Sequence, residues 1–402
     1  MPGRIYFDHS ATTPLDPRVL DAMLPFLADS FGNASSQHAE GRKAREAVET
    51  ARAQVAALLN ADANEIVFTG SGTEADNLAL IGAVRSSVGP SHVITSSIEH
   101  AAILKTCDYL EENGVSITHL PVDSDGLVDT LDLDAALRPE TRIVSVMTVS
   151  NLVGTVQPIA ELAEITNEHG ALFHTDAVQA GGKIPIDVKR SPIDLVSLSA
   201  HKLHGPKGVG ALFVRRGVEL SPIVFGGGQE RGLRSATENV AAIVGFGIAA
   251  KIARQELEEE SIRLRNLREK IVRVLAETVP QAYVIGHLEK RLPGHLSLGF
   301  AGQEVLAGRL VQLLDKAGVA VSAGSACNAH HADKPSHVLL AMGYDSERAR
   351  GLVRITLGRF NTEAEVDRFL EILTRLVEEL NPNLDWTTSP QLAGPLLAGT
   401  TA

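Results

Sequence analysis

Cysteine is almost missing from this chain: there are two in 402 residues, Cys107 and Cys327. Two thiols make no disulfide framework, which excludes a stapled secreted scaffold and points to a reducing setting, the cytoplasm. Positive charge is also in short supply. Lys and Arg are outnumbered by Asp and Glu, leaving a net charge of −12, and that balance argues against nucleic acid as the main ligand. Long apolar runs are absent. The longest, Val240 to Ala250, contains two glycines and falls short of a membrane span. No leader pattern opens the chain, since Pro2-Gly3-Arg4 runs directly into a strand-like stretch, and no internal repeat is visible. With 44% apolar residues, a chain of this length is expected to be soluble and to bury a large core in two or three domains.

Apolar runs alternate with helical patterns over the first two-thirds of the chain. Glu65–Thr69, His92–Ser96, Arg142–Thr148, Leu172–Thr175 and Asp194–Ser199 read as strands, and this spacing predicts an α/β domain with a mostly parallel sheet covered by helices. Glu40–Leu59 and Glu238–Glu277 carry helical periodicity. The charged middle of the second, Gln255 to Lys270, is a candidate crossover into a smaller domain. Gly294–Phe300 and Val319–Ser322 read as strands of its sheet. The stretch from Pro382 to Ala402, rich in Pro, Ser, Thr, Gly and Ala, reads as a disordered tail.

Chemistry gathers at the strand ends. Lys202 follows the strand Asp194–Ser199 within Ser199-Ala-His-Lys-Leu-His-Gly-Pro-Lys-Gly208. A lysine fixed in a partly desolvated, Gly-shaped pocket suits Schiff-base chemistry; a surface lysine in a turn is the plain alternative. Asp176 ends the preceding strand and is placed to hold the pyridinium nitrogen of pyridoxal phosphate (PLP). Upstream, Glu65-Ile-Val-Phe-Thr-Gly-Ser-Gly-Thr-Glu-Ala-Asp-Asn77 reads as strand, turn and helix start. There, Gly72 and Thr73 would offer backbone N–H groups and a hydroxyl to a phosphate.

These motifs resemble the NifS/IscS-type cysteine desulfurases, in the class V aminotransferase group of PLP enzymes. The resemblance runs from Tyr6-Phe-Asp-His-Ser-Ala-Thr-Thr-Pro14 to Val353-Arg-Ile-Thr-Leu-Gly-Arg-Phe360, and takes in Ser97-Ile-Glu-His100, Thr175-Asp-Ala-Val-Gln179, Gly226-Gly-Gly-Gln-Glu-Arg231 and Ser322-Ala-Gly-Ser-Ala-Cys327. It implies the α/β fold of PLP-dependent transferases of the aspartate aminotransferase type. The large domain, residues 16–256, would hold a mostly parallel seven-stranded sheet. Residues 1–15 and 257–380 would form a smaller α+β domain carrying the catalytic Cys loop, and 381–402 the tail.

The resemblance also implies roles. Lys202 would hold PLP and move the substrate's Cα proton, and His100 would stack on the ring and exchange protons. Asp176 would bind the ring nitrogen and Gln179 the ring hydroxyl. Gly72, Thr73, Ser199 and His201 would hold the phosphate. Thr237 would reach the phosphate of a neighbouring subunit, which implies a homodimer with shared active sites. Asn151 and Arg354 would bind the substrate carboxylate, a role that suits an Arg fork. Cys327, in a Gly/Ala/Ser-rich loop, would take sulfur from L-cysteine as a persulfide and pass it to an acceptor or scaffold protein, for iron–sulfur cluster, thio-cofactor or tRNA biosynthesis. By contrast, Cys107 sits at core spacing on a helix. No metal site is expected, because Cys327, His330 and His331 lie within five residues, far from the paired spacing of zinc ligands. The two histidines are instead candidates for lowering the Cys327 pKa.

The chain departs from the pattern in three places. Ser150-Asn-Leu-Val-Gly154 replaces the usual Asn-Asn-Glu-x-Gly, Ala236 replaces a Gly, and seven residues separate Cys327 from Pro335. The spacing Cys-x-x-x-His-x-Asp-x-Pro, with Phe225-Gly-Gly-Gly-Gln-Glu-Arg231, resembles selenocysteine lyase at least as closely. Cysteine desulfurase is the reading taken, with selenocysteine lyase the alternative. A catalytically idle scaffold and a plain transaminase stand behind both, since fold alone does not fix the reaction.

Overall fold

The computed structural model describes residues 3–279, 281–300, 306–323 and 335–380. Cys327, His330, His331 and the tail from 381 lie outside the described residues. In chain order the first elements are β1 (Ile5–Tyr6), α1 (Pro17–Leu27), α2 (Ala39–Leu58), β2 (Ile66–Thr69), α3 (Gly72–Arg85), β3 (His92–Ser96), α4 (Ala101–Glu112) and β4 (Ser116–Leu120). There follow α5 (Thr130–Ala136), β5 (Thr141–Ser145), α6 (Ile159–Glu168), β6 (Leu172–Asp176), β7 (Leu195–Ser199), β8 (Gly210–Val214) and α7 (Val240–Thr278). The rest are β9 (Ala282–Val284), β10 (His295–Phe300), α8 (Leu306–Lys316), β11 (Val319–Ala320), β12 (Ser322–Ala323), α9 (His337–Ala341), β13 (Val353–Thr356) and α10 (Glu363–Leu380).

Seven strands form one sheet in the order β2-β8-β7-β6-β5-β3-β4. The pairs from β7 across to β4 are all parallel, while β8 runs antiparallel to both of its neighbours. Every residue of β2, β3, β7 and β8 is buried. Continuous apolar runs such as Ile66-Val-Phe68 are what a sheet covered on both faces demands. One face packs on α2, α6 and the first half of α7, through Val48, Val55, Phe173, Phe213 and Phe246. The other packs on α3 and α4, through Leu78, Leu80, Ile103 and Cys107. Where α7 crosses α2, a Cβ at Gly247 would lie 2.7 Å from the Ala51 Cβ, so only glycine permits that approach.

A second apolar cluster gathers Phe7, Ile271, Leu275, Leu298, Leu314, Ile355 and Phe369 around a four-stranded sheet of order β12-β13-β10-β9. Helix α7 contributes to both clusters: Ala242, Phe246 and Ala249 to the first, and Leu267, Ile271 and Leu275 to the second. Its 39 residues span about 58 Å at 1.5 Å per residue.

Three sequence expectations need correction. The strand expected over Arg142–Thr148 ends at Ser145. Beyond it the pairing with β3 stops, while Val146 and Thr148 still bond to the β6 carbonyls of His174 and Asp176. The strand expected over Val319–Ser322 is split at Val321, with β11 pairing with β1 and β12 with β13. The N-terminal arm accordingly pairs with β11 in a separate two-stranded parallel sheet, and meets β13 of the smaller sheet through the bridge Asp8–Thr356, the Phe7 carbonyl on the Thr356 N–H and the Asp8 carboxylate on Arg354.

Candidate active site

The carboxyl ends of β2, β3, β5, β6 and β7 open on one cavity of about 540 Å³, where open α/β sheets hold their ligands. β6 delivers Asp176 and β7 delivers Ser199, and one turn of 3₁₀ helix after β7 (Ala200–Lys202) carries His201 and Lys202 into the cavity. The β2–α3 turn supplies the opposite wall. Ser71 caps α3 by accepting from the Glu74 N–H at 3.0 Å, and Gly72 and Thr73 begin the helix beside the cavity. A Cβ at Gly72 would lie 2.7 Å from Val178 Cγ2, so the helix start presses against the β6 loop. His100 is the N-cap of α4, its Nδ1 accepting from the Ala102 N–H at 3.1 Å.

Ten of the expected site residues line this one cavity: Gly72, Thr73, His100, Asn151 and Asp176, then Gln179, Ser199, His201, Lys202 and Arg354. Thr237 does not; it is exposed on the loop before α7. Cys327 falls outside the described residues. Sequence reasoning assigned no role to Ser10, Ala11, Thr12, Lys207 and Gly208, or to Met147 and Val149, which also line the cavity. The signal for the first three was the Ser-Ala-Thr-Thr-Pro stretch, quoted above without a role. Met147 and Val149 follow the end of β5, where pairing with β3 has stopped.

Lys202 Nζ donates to the carbonyls of Ser10 and Ala11, the latter at 2.8 Å. Gln179 Nε2 donates to Ser10 O at 2.9 Å, while its Oε1 is buried without a partner. Arg354 is held by the Asp8 carboxylate and the Asn151 carbonyl, both at 2.9 Å, and its Nε is buried and unpartnered. The His201 imidazole, 3.1 Å from Thr12 Oγ1, is pushed down to about 4, chiefly by burial and then by Lys202, so it stays neutral.

Two acids stand together in the cavity wall, Asp176 and Asp76. Asp176 accepts from the Val178 N–H at 2.8 Å, and burial raises its pKa. Asp76, fully buried behind it, is raised well above the carboxylate range by burial and then by the Asp176 charge. Two adjacent buried acids cannot both ionise, so one keeps a proton. His174 lies beside Asp76: its Nδ1 is 2.8 Å from Ser145 Oγ and its Nε2 3.0 Å from Ser197 Oγ, and burial pushes it down to about 3. Among the described residues no cluster of metal-ligating side chains is present, and no helix is long and apolar enough to cross a membrane.

An α/β sheet covered by helices on both faces, with lysine, acid and helix N-terminus at its strand ends, defines a class, and the comparison agrees. The chain belongs to the class-V aminotransferase family, whose model matches residues 5–369. Within that family it is a NifS/IscS-like chain. It is 46% identical over 379 residues to the cysteine desulfurase of Gluconacetobacter diazotrophicus, covering 94% of each chain. It is also 46% identical to cysteine desulfurase IscS 1 of Archaeoglobus fulgidus, over 93% of this chain and 97% of that one. Among solved structures a NifS-like protein superposes with a TM-score of 0.87 at 40% identity, over 94% of this chain and all of its own. The structure of SspA in complex with cysteine does so with a TM-score of 0.79 at 37% identity, covering 89% of this chain and all of that one.

Proposed function

We propose that this chain is a cysteine desulfurase that uses PLP to remove sulfur from L-cysteine, releasing L-alanine and leaving a persulfide on Cys327. The observation that carries the reading is Lys202 and Asp176 at neighbouring strand ends, facing the α3 N-terminus across one cavity. These residues fit the cofactor. An amine suits its aldehyde, a buried acid suits its ring nitrogen, the unpartnered Gln179 Oε1 suits its ring hydroxyl, and a helix start with Gly72 and Thr73 suits its phosphate. Bound PLP supplies an electron sink that makes the substrate's Cα proton acidic and its Cβ–S bond breakable.

The chain's own groups do the rest. Ser199 and His201 would join Gly72 and Thr73 in holding the phosphate, and His100 would serve the ring. Asp176 would hold the ring nitrogen, with Asp76, raised further by burial and by the Asp176 charge, carrying the proton that the pair must hold. Lys202 would be the group that moves the substrate's Cα proton. The Arg354 fork and Asn151 orient the substrate carboxylate, which competes with Asp8 for the guanidinium. Met147 and Val149 exclude water from one wall. The Cys327 thiolate attacks the substrate sulfur: an S–S bond forms, the Cβ–S bond breaks, and the carbon fragment takes a proton on its way to alanine.

The reading brings with it a homodimer in which Thr237 serves the neighbouring site, a sulfur-acceptor or scaffold protein, and a cytoplasmic setting. Exposed apolar side chains at Leu20, Leu24 and Leu27 along α1, and at Phe31 and Phe225, support an interface between subunits. It also brings a division into a large domain, 16–256, and a small one, 1–15 with 257–380, supported by the two apolar clusters that α7 bridges.

The test is alanine release from L-cysteine and from L-selenocysteine by wild type and Cys327→Ala. Rapid release from cysteine that is lost in the variant is expected. Release from selenocysteine alone makes the chain a selenocysteine lyase, and none from either substrate overturns the proposal.

A further inference from the structure

A second cavity, of about 60 Å³, lies behind Lys202 between the two apolar clusters. That is room for about four to six waters at roughly 10–15 Å³ each. Lys202 and Ser10 line both cavities, so the lysine stands as the wall between them. In front are the candidate cofactor contacts. Behind are Lys183, His9, His204 and His295, with Leu203, Leu264 and Leu292 for apolar lining.

Polar atoms in this space are short of partners. His9 is 3% exposed and both of its ring nitrogens are without a hydrogen bond, as is Nδ1 of His295 at 1% exposure. A buried donor left unpaired costs about 1–3 kcal/mol, and in native proteins such groups point to ordered water. Lys183 sits at the end of the β6 loop, anchored through its carbonyl, which accepts from Ser261 Oγ of α7 at 3.0 Å. Among the described residues it forms no ion pair. Glu260, the one acid lining the cavity, is taken by Arg263 at 2.8 Å.

The charges facing Lys183 are known from each element packed on it. Lys202 and His201 come from the turn after β7, Arg354 from β13, His9 from the N-terminal arm and His295 from β10. His204 belongs to the same turn as Lys202. Further round the cavity, Arg359 is held by Asp16 at 3.0 Å. Burial, then Lys202, then Arg354 push Lys183 down to about 7. The histidines are held neutral: His9 falls to about 3 and His204 to about 4, and His295 well below its ordinary value, each chiefly by burial. Only lysine and arginine therefore bring positive charge here near neutrality.

We propose that Lys183 is a positioning residue for Lys202: its ammonium, set in the hydrated cavity behind the catalytic amine, disfavours a proton on Lys202 and keeps it competent as a base. The interaction between two charges is mutual, so whatever Lys202 does to the protonation of Lys183, Lys183 does to that of Lys202. Asp176, whose charge acts on Lys202, lines the front cavity only and is engaged by the Val178 N–H. The inference rests on the proposed role of Lys202 as the cofactor lysine.

The test is a pH titration of the visible absorbance of the lysine-bound cofactor in the resting holoenzyme, without substrate. Wild type is compared with Lys183→Met, Lys183→Gln and Lys183→Arg. Loss of the charge is expected to raise the titration midpoint by about one pH unit, a tenfold change in proton affinity. Lys183→Arg, whose charge does not fade above about pH 7 as that of Lys183 does, is expected to hold the midpoint at or below that of wild type. Lys183→Gln keeps a polar group in the cavity and decides the question if Lys183→Met does not fold. A midpoint unmoved in a charge-removing variant that folds and loads cofactor overturns the proposal, as does an equal rise in Lys183→Arg. Absence of any lysine-bound absorbance in wild type overturns the reading of Lys202 itself and takes this inference with it.

Discussion

Glu99 carries its charge problem in plain view: it is fully buried and pushed up to about 8 by burial, against two hydrogen bonds that favour its anion. Both bonds, from Ser96 Oγ at 2.6 Å and the Met147 N–H at 2.9 Å, fall on Oε1, leaving Oε2 to hold the proton. The folded state then binds a proton that the unfolded chain has lost, so stability falls as pH rises from about 4.5 to about 8. Glu99→Gln is expected to flatten that fall, gaining on wild type by a few kcal/mol across the interval, read from urea midpoints at each pH. If the two proteins lose stability in parallel, Glu99 is ionised in the fold. Cys107 makes the opposite residue-scale case. It is 1% exposed and pushed up to about 12, chiefly by burial. Alkylation of native protein at pH 8 should leave Cys107 unlabelled until denaturant is added, as peptide mass spectrometry would read directly. Of these features, the sequence made Cys107 legible, because its helical spacing alone puts it inside. The state of Glu99 was not legible, because nothing in Ser-Ile-Glu-His says that its carboxyl faces a sealed floor.

At the scale of elements, the loop before α7 is pinned by charge. Glu230 and Arg231 hold φ of 58° or below on the positive side, a left-handed pair without glycine. The strain is offset by the Glu230 carboxylate, which takes two bonds from Arg52 of α2 at 2.6 and 2.8 Å and one from the Phe68 N–H of β2 at 2.8 Å. The guanidinium also lies 4.9 Å from the Phe68 ring. Arg52→Met strands a buried carboxylate and should lower unfolding free energy by about 3–5 kcal/mol, whereas Glu49→Ala, at an exposed partner of the same arginine, should cost under about 1 kcal/mol. Similar losses in chemical denaturation would mean that the Glu230 pair contributes no more than a surface contact. Periodicity exposes elements unevenly. The strands β2, β3, β6 and β7 and the helices α2 and α7 were readable from continuous apolar runs and helical spacing. β4 was not, because Ser116-Ile-Thr-His-Leu120 is a half-exposed edge strand, and β8 was hidden by the Gly-Pro-Lys-Gly turn before it. Charged residues inside the fold, such as Arg52 and Arg291, defeat any reading that assigns charge to the surface.

At the scale of the whole molecule, the candidate site assembles from chain segments far apart in sequence, and strand ends explain how much of it could be read. Asp176 and Lys202 were legible because each closes an apolar run, and the ends of neighbouring parallel strands must meet. Arg354 and the Ser10–Thr12 segment arrive from the second apolar cluster, by a route that only the assembled structure displays. Thr237 is the residue left over. It is exposed at the end of the loop that Glu230 pins, outside the cavity that holds the others, while Lys202 lines that cavity. If Thr237 serves the neighbouring subunit, the defects of Thr237→Ala and Lys202→Ala lie in different sites of a mixed dimer. One site then lacks both residues and the other lacks neither. Refolding the two inactive or weakened variants together should therefore restore activity, up to about a quarter of wild type when half of the dimers are mixed and one site in each works. A Thr237 that acts within its own chain leaves one defect in each site, and mixing then restores nothing. The measurement, alanine release at limiting cofactor before and after co-refolding, separates a shared site from a private one without knowledge of the sulfur acceptor.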